Sequence, residues 1–138
     1  MKMPLKAVTI GDIKGIGIEI LIKLWKIKKK NIGNFILITN YKLLLKHLNK
    51  INIKLPIARV LDFNDVQRLA YKNFLVYNID ATNNNYNTYN SMLHAYTLTK
   101  KKRCSSIITL PLNKEKNIKK IDKKFIGQTE LFQKLDKK

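Results

Sequence analysis

The run Phe35-Ile36-Leu37-Ile38-Thr39 constrains this chain more than any other feature. A continuous apolar stretch of that length offers no polar face to water. It suits a strand buried on both sides, as in parallel sheets covered by helices. Tyr41, Leu44, Leu45 and Leu48 follow at once with the spacing of a helical stripe. The same alternation recurs along the chain. Lys6 to Ile10 reads as a strand, and glycines at 11, 15 and 17 make a turn. Ile18 to Lys29 reads as a well-buried helix with Ile20, Leu21, Leu24 and Ile27 on its apolar face, widened by Ile22 and Trp25; Asn31 to Asn34, with Gly33, closes it. Ile57 to Leu61, Phe74 to Tyr77 and Ser105 to Leu110 are further strands, the last of the buried type and stopped by Pro111. Ser91 to Lys102 reads as a helix with Met92, Ala95, Tyr96 and Thr99 on one face. The asparagine-rich Asn83 to Asn90 reads as a loop. A weakly helical, Lys-rich stretch and a short helix from Thr129 complete the pattern. Strands alternating with helices imply an α/β fold with a mainly parallel sheet flanked by helices.

The 138 residues suit one domain or a piece of a larger one. The net charge of +19 raises the question of a nucleic-acid partner. Its make-up argues otherwise: 25 of the 28 basic residues are Lys, and only Arg59, Arg68 and Arg103 could read guanine edges bidentately. Lys, Asn and Ile make up 59 of 138 residues, and all three have AT-rich codons, so base-composition drift accounts for the excess. The Lys clusters at 28–30, 100–102, 119–120, 123–124 and 137–138 are scattered, mostly at predicted helix ends where cations suit the helix dipole. No dedicated nucleic-acid partner is expected. No run of about 18 apolar residues occurs, so no membrane span is expected. The start lacks a secretory signature, so a cytoplasmic protein is expected. The single cysteine, Cys104, excludes an internal disulfide and reads as a packing thiol. His47 lies on the polar face of its helix and His94 beside the apolar face of its own. No His-x-x-x-His pair offers a metal site.

Ligands of parallel sheets bind beyond the carboxyl ends of the strands. Three segments are expected there. Gly11-Asp12-Ile13-Lys14-Gly15-Ile16-Gly17-Ile18-Glu19 runs from strand through turn into helix, a natural anion or substrate cradle. It is not a dinucleotide fingerprint, because Ile20 stands where the third glycine belongs, and it lacks the Gly-Lys-Ser/Thr of a phosphate loop. Read plainly, it is a tight turn needing positive φ. Thr109-Leu110-Pro111-Leu112-Asn113-Lys114 offers an amide and a cation, or simply terminates a strand. Gly127-Gln128-Thr129-Glu130 opens a helix, which Thr129 can cap and Glu130 favours.

Together these segments resemble the 4-hydroxythreonine-4-phosphate dehydrogenase family. Val8-Thr9-Ile10-Gly11-Asp12, with Gly15-Ile16-Gly17 and Glu19, resembles the family's opening strand and Gly-Asp/Glu-Pro-Ala-Gly-Ile-Gly-Pro-Glu. Thr109, Pro111, Leu112, Asn113 and Lys114 resemble its Thr-x-Pro-Ile-Asn-Lys, and Gly127 to Glu130 its Gly-His-Thr-Glu. Asn90-Ser91 and the helix after it match the family's layout. The resemblance covers residues 1–138 as the N-terminal portion of a longer enzyme. It implies an incomplete isocitrate/isopropylmalate dehydrogenase-like fold and a homodimer. It also implies NAD-dependent oxidation of a phosphorylated hydroxy amino acid in vitamin B6 biosynthesis, followed by decarboxylation. A divalent metal would polarise the hydroxyl and the forming ketone. The resemblance makes Gln128, Thr129 and Lys114 substrate-binding, and Gly11, Asp12, Gly15, Gly17 and Glu19 the cleft loop.

The sequence departs from the family at Ile13-Lys14 and Ile18, where the prolines are lost, and at Gln128, which replaces a histidine and cannot titrate near neutrality. The family's metal-ligand histidines and most cofactor contacts come later than anything in these 138 residues. The chain alone is therefore expected to be inactive. It reads as the first part of an enzyme completed by a separately encoded C-terminal part, or as a remnant. Two non-catalytic alternatives are a subunit that binds a phosphorylated ligand through Thr129 and Lys114, and a small basic module that binds polyanions.

Overall fold

The computed structural model describes residues 4–27 and 34–137. The predicted closure of the first helix at 31–34 falls largely outside them, as do the Lys cluster at 28–30 and Lys138. Five strands form one parallel sheet: β1 (Leu5–Thr9), β2 (Asn34–Thr39), β3 (Ile57–Arg59), β4 (Phe74–Asn78) and β5 (Ser106–Thr109), in the order β3-β4-β2-β1-β5. The helices are α1 (Ile16–Ile27), α2 (Tyr41–Lys50), α3 (Val66–Ala70), α4 (Asn84–Lys100), α5 (Lys114–Asn117) and α6 (Gln128–Asp136).

The pleat divides the core in two. Val8, Leu37, Phe74 and Val76 point to the side covered by α1 and α2, where they meet Ile18, Ile22, Trp25, Leu44 and Leu48. Phe74 anchors this layer, edge-on to Trp25 at 5.8 Å and to Phe35 at 5.5 Å between ring centroids. Ala7, Ile36, Ile38 and Leu75 point to the other side, against Val66 of α3 and Ala95 and Leu98 of α4. A third cluster ties Met92 of α4 to Ile118, Phe125 and Leu131. Among the described residues no helix is long and apolar enough to cross a membrane.

Phe35–Thr39 is a buried central strand, and α2 carries Leu44 and Leu48 into the core, as their patterns predict. Three expectations are corrected. First, α1 buries Gly17, Ile18, Ile22 and Trp25, whereas Ile20, Leu24 and Ile27 are exposed. The helix is apolar on two sides, so periodicity alone could not select the core face. Second, 83–90 is not a loop: Asn83 caps α4, its side chain accepting from the Tyr86 amide, and the helix runs on from Asn84. Asn87, Thr88 and Ser91 are buried there because strand ends supply hydrogen-bond partners, which overrides the turn propensity of asparagine. Third, β5 is an edge strand with Ile108 exposed, not a strand buried on both faces.

Candidate functional site

The chain leaves β1 through α1 toward β2, while β5 lies on the other side of β1. The carboxyl ends of β1 and β5 therefore flank a topological switch point, where open parallel sheets bind ligands. All three predicted segments contribute residues to it. The Asp12 amide donates to the Pro111 carbonyl at 2.9 Å, joining the first segment to the second. The third arrives through Gln128. Its Oε1 accepts from Thr9 Oγ1 at 3.4 Å and its Nε2 donates to the Leu110 carbonyl at 3.3 Å. Both contacts are long, and they tie the start of α6 to the two strand ends.

The glycines have distinct jobs. Gly11 has φ +61°, and a Cβ there would lie 2.4 Å from the Pro111 oxygen and 2.6 Å from the Leu110 oxygen. Gly17 is not in the left-handed region; a Cβ on it would meet Pro111 Cδ at 2.9 Å. Gly15 closes the turn by donating its amide to the Asp12 carbonyl at 2.8 Å. The tight turn does need positive φ, as its glycines predict, and of the three it needs it at Gly11 alone.

Asp12 is a hub of this crevice. Its Oδ1 accepts from the Lys14 amide at 3.1 Å, and its Oδ2 lies 3.8 Å from Lys116 Nζ. Lys114 starts α5, exposed, and its Nζ donates to the Ile126 carbonyl at 3.4 Å. Asn113 caps α5 by accepting from the Lys116 amide, while its own amide donates to buried Asn117. Thr129 is exposed and does not cap α6; the N-cap is Gly127, and the helix begins at Gln128 rather than at Thr129. Glu19 is also exposed. Its charge acts on His47 of α2.

Sequence reasoning missed the supports behind the crevice. Ser91 Oγ accepts from the Ile10 amide at 3.0 Å and donates to the Ile38 carbonyl at 2.6 Å. Thr88 Oγ1 donates to the Gly11 carbonyl at 2.7 Å, holding the left-handed glycine from behind. Asn87 accepts from the Asn40 amide and donates to Thr39 Oγ1. The signal was present: residues 87, 88, 91, 92, 95 and 98 share helical spacing, but the first three are polar and did not register as a core face.

Beside the crevice, Lys14, Lys46, His47 and Lys50 line a cavity of about 310 Å³ with Asn83 and Asn84 at the start of α4. Burial, helped by Lys50 and Lys14, holds the His47 pKa below its usual value, against the opposing pull of Glu19 and Asp12. A larger cavity, about 500 Å³, lies by Leu5, Cys104 and Ser105, at the amino ends of β1 and β5 and so opposite the switch point. Burial pushes the Cys104 thiol up to about 11, in keeping with a packing role.

No family model matches the chain. Curated relatives and solved structures do. Over 130 residues the chain is 29% identical to a 4-hydroxythreonine-4-phosphate dehydrogenase of Campylobacter fetus, covering 94% of this chain and 40% of the relative. Over 110 residues it is 30% identical to one from Sulfurimonas denitrificans, covering 79% and 34%. The chain resembles a portion of a 4-hydroxythreonine-4-phosphate dehydrogenase. Solved dehydrogenases of that name share the fold. The one from Burkholderia phymatum matches with a TM-score of 0.77 at 21% identity, over 98% of this chain and 44% of its own. The one from Klebsiella pneumoniae matches at 0.73 and 20%, over 93% and 43%. The sheet and its helices are thus an incomplete version of the dehydrogenase fold, and the chain spans well under half the length of these relatives.

The divalent metal implied by the dehydrogenase resemblance does not fit the described residues. No three His, Cys, Asp or Glu among them cluster to hold a metal.

Proposed function

We propose that this chain forms one wall of the substrate crevice of a 4-hydroxythreonine-4-phosphate dehydrogenase-type enzyme and does not oxidise substrate alone. The observation that carries this reading is the convergence of Asp12, Pro111 and Gln128 at the carboxyl ends of β1 and β5. The ligand class would be a phosphorylated hydroxy amino acid. Thr129 and Lys114 would contact it from the rim, where both are exposed. Gln128 would act as a positioning residue, since its amide is committed to Leu110 and Thr9. NAD and a divalent metal, along with hydride transfer and decarboxylation, would depend on residues outside this chain. The protein would work in the cytoplasm as a subunit.

Purified chain supplied with 4-hydroxythreonine 4-phosphate, NAD and a divalent metal should show no oxidation; turnover at an ordinary enzyme rate would refute the proposal. Calorimetry should show binding of the phosphorylated compound that weakens at least several-fold in Thr129→Ala. A second reading, a non-catalytic phosphate binder, has the Lys14, Lys46, His47 and Lys50 cavity in its favour. It requires binding that survives Thr129→Ala and is lost in Lys46→Ala/Lys50→Ala.

A further inference from the structure

The two edges of the sheet are built differently. At one, β3 has three residues, follows Pro56 and carries Arg59, whose guanidinium stacks 4.6 Å above the Tyr41 ring. Short, proline-flanked, charged edges resist pairing with another strand. At the other, β5 is Ser106-Ile107-Ile108-Thr109, without charge or proline. One of its faces is finished: Ile107 packs with the core under α4. The other is not. Ile108 pairs with Val8 in register, but it is 42% exposed on the side of α1. Beside it lies an apolar groove of about 480 Å³, lined by Val8, Ile20, Leu24, Ile108, Leu110 and Pro111. Ile20 and Leu24 are 49% and 41% exposed, and they are the residues whose apolar pattern pointed to a core. A contiguous apolar patch beside an open strand edge marks an interaction surface.

We propose that this groove and the outer edge of β5 seat the part of the dehydrogenase fold that this chain does not span. The occupant is a polypeptide that adds a strand alongside β5 and lays an apolar helix over Ile20, Leu24 and Ile108. The inference rests on the dehydrogenase reading above. Two observations select this occupant. The solved dehydrogenases reproduce nearly all of this chain within 44% of their own length, so more than half of such a fold lies beyond the described sheet. A second copy is disfavoured by charge, because each chain carries +19 and would bring its own Lys6 to the rim of the same groove. The sequence pattern agrees. Apolar residues on two sides of α1 are what a helix needs when it is covered on two sides.

The test is photo-crosslinking of the full chain in its source cells, with benzoylphenylalanine in place of Ile108 and, separately, of Leu24. Adducts are identified by mass spectrometry. Both sites should capture a polypeptide whose sequence continues the dehydrogenase relatives beyond the segment matched here. The same probe at Tyr71, which is exposed elsewhere on the molecule, should not. Adding Ile20→Glu to the Ile108 probe should cut the adduct at least ten-fold, with circular dichroism and melting unchanged because Ile20 is exposed. Adducts to a second copy or to an unrelated protein, or the absence of any adduct, would overturn the proposal. No substrate enters the assay. Capture of the missing part together with failed phosphate binding would reject the ligand reading alone, and the reverse outcome would reject the docking alone.

Discussion

Replacing Gly11 with alanine tests the crevice most directly. The residue sits at φ +61°, which costs an L-residue about 1–2 kcal/mol. The added Cβ would lie 2.4 and 2.6 Å from two backbone oxygens and 2.9 Å from the Leu110 carbonyl carbon. Backbone cannot rotate aside as a side chain can, so the β1–β5 junction must open. Overpacking of this kind costs about 1–3 kcal/mol. Opening also weakens the 2.9 Å bond from the Asp12 amide to Pro111, worth about 1 kcal/mol net. The expected loss is about 4 kcal/mol, a large share of the roughly 5–15 kcal/mol that stabilises a domain. Urea unfolding followed by far-ultraviolet circular dichroism would measure it, and melting should fall by roughly 15 °C. Gly15→Ala is the control. With no left-handed φ and a nearest contact of 3.2 Å, it should cost under about 1 kcal/mol. A Gly11→Ala loss below about 1 kcal/mol would refute the packing argument and leave the glycine free for another purpose.

Other outcomes follow from the same geometry. Ser91→Ala removes the partner of two buried backbone groups, the Ile10 amide and the Ile38 carbonyl, and should cost about 2–4 kcal/mol in urea unfolding. Ser106→Ala, at an exposed edge position, should cost under about 0.5 kcal/mol. His47 and His94 both have pKa values lowered mainly by burial, so the unfolded chain takes up protons more readily. Stability should therefore fall as pH drops below about 6.5, the value of an unperturbed histidine, and His47→Gln should flatten part of that slope. With its thiol pushed up to about 11, Cys104 should react negligibly with a thiol reagent at pH 8 in the native state, and once per chain in denaturing urea.

Much of the fold was legible because it rests on local patterns. The run from Phe35 to Thr39 has no polar face, and the stripe at Leu44 and Leu48 admits one orientation for α2. The segments at Gly11 and Pro111 could be placed at strand ends from their turn residues, whereas Gly127 to Glu130 follows no strand and reaches the crevice only through Gln128. The helix over 84–100 was legible from Ser91 onward, but its first turns, 84–90, could not be read. Its buried face begins with Asn87, Thr88 and Ser91, polar residues whose burial is favourable only because strand-end amides and carbonyls await them. The exposed side of α1 was misjudged for the converse reason: apolar residues at Ile20 and Leu24 announce a contact without saying with what.

By itself, then, the sequence determined the alternation of strands and helices, the parallel sheet and the places where the chain turns at strand ends. Those follow from hydrophobic period and turn chemistry, which act within a dozen residues. Tertiary structure decided which turns meet. That Asp12 bonds to Pro111 and Gln128 reaches Thr9 depends on β5 settling beside β1, a pairing between segments about a hundred residues apart. It also decided that Gly11 alone of the crevice glycines must be left-handed, because only there do two carbonyls from β5's end crowd the turn. Strand order is fixed by which arrangement covers both faces of the sheet at once, and that is a property of the whole chain.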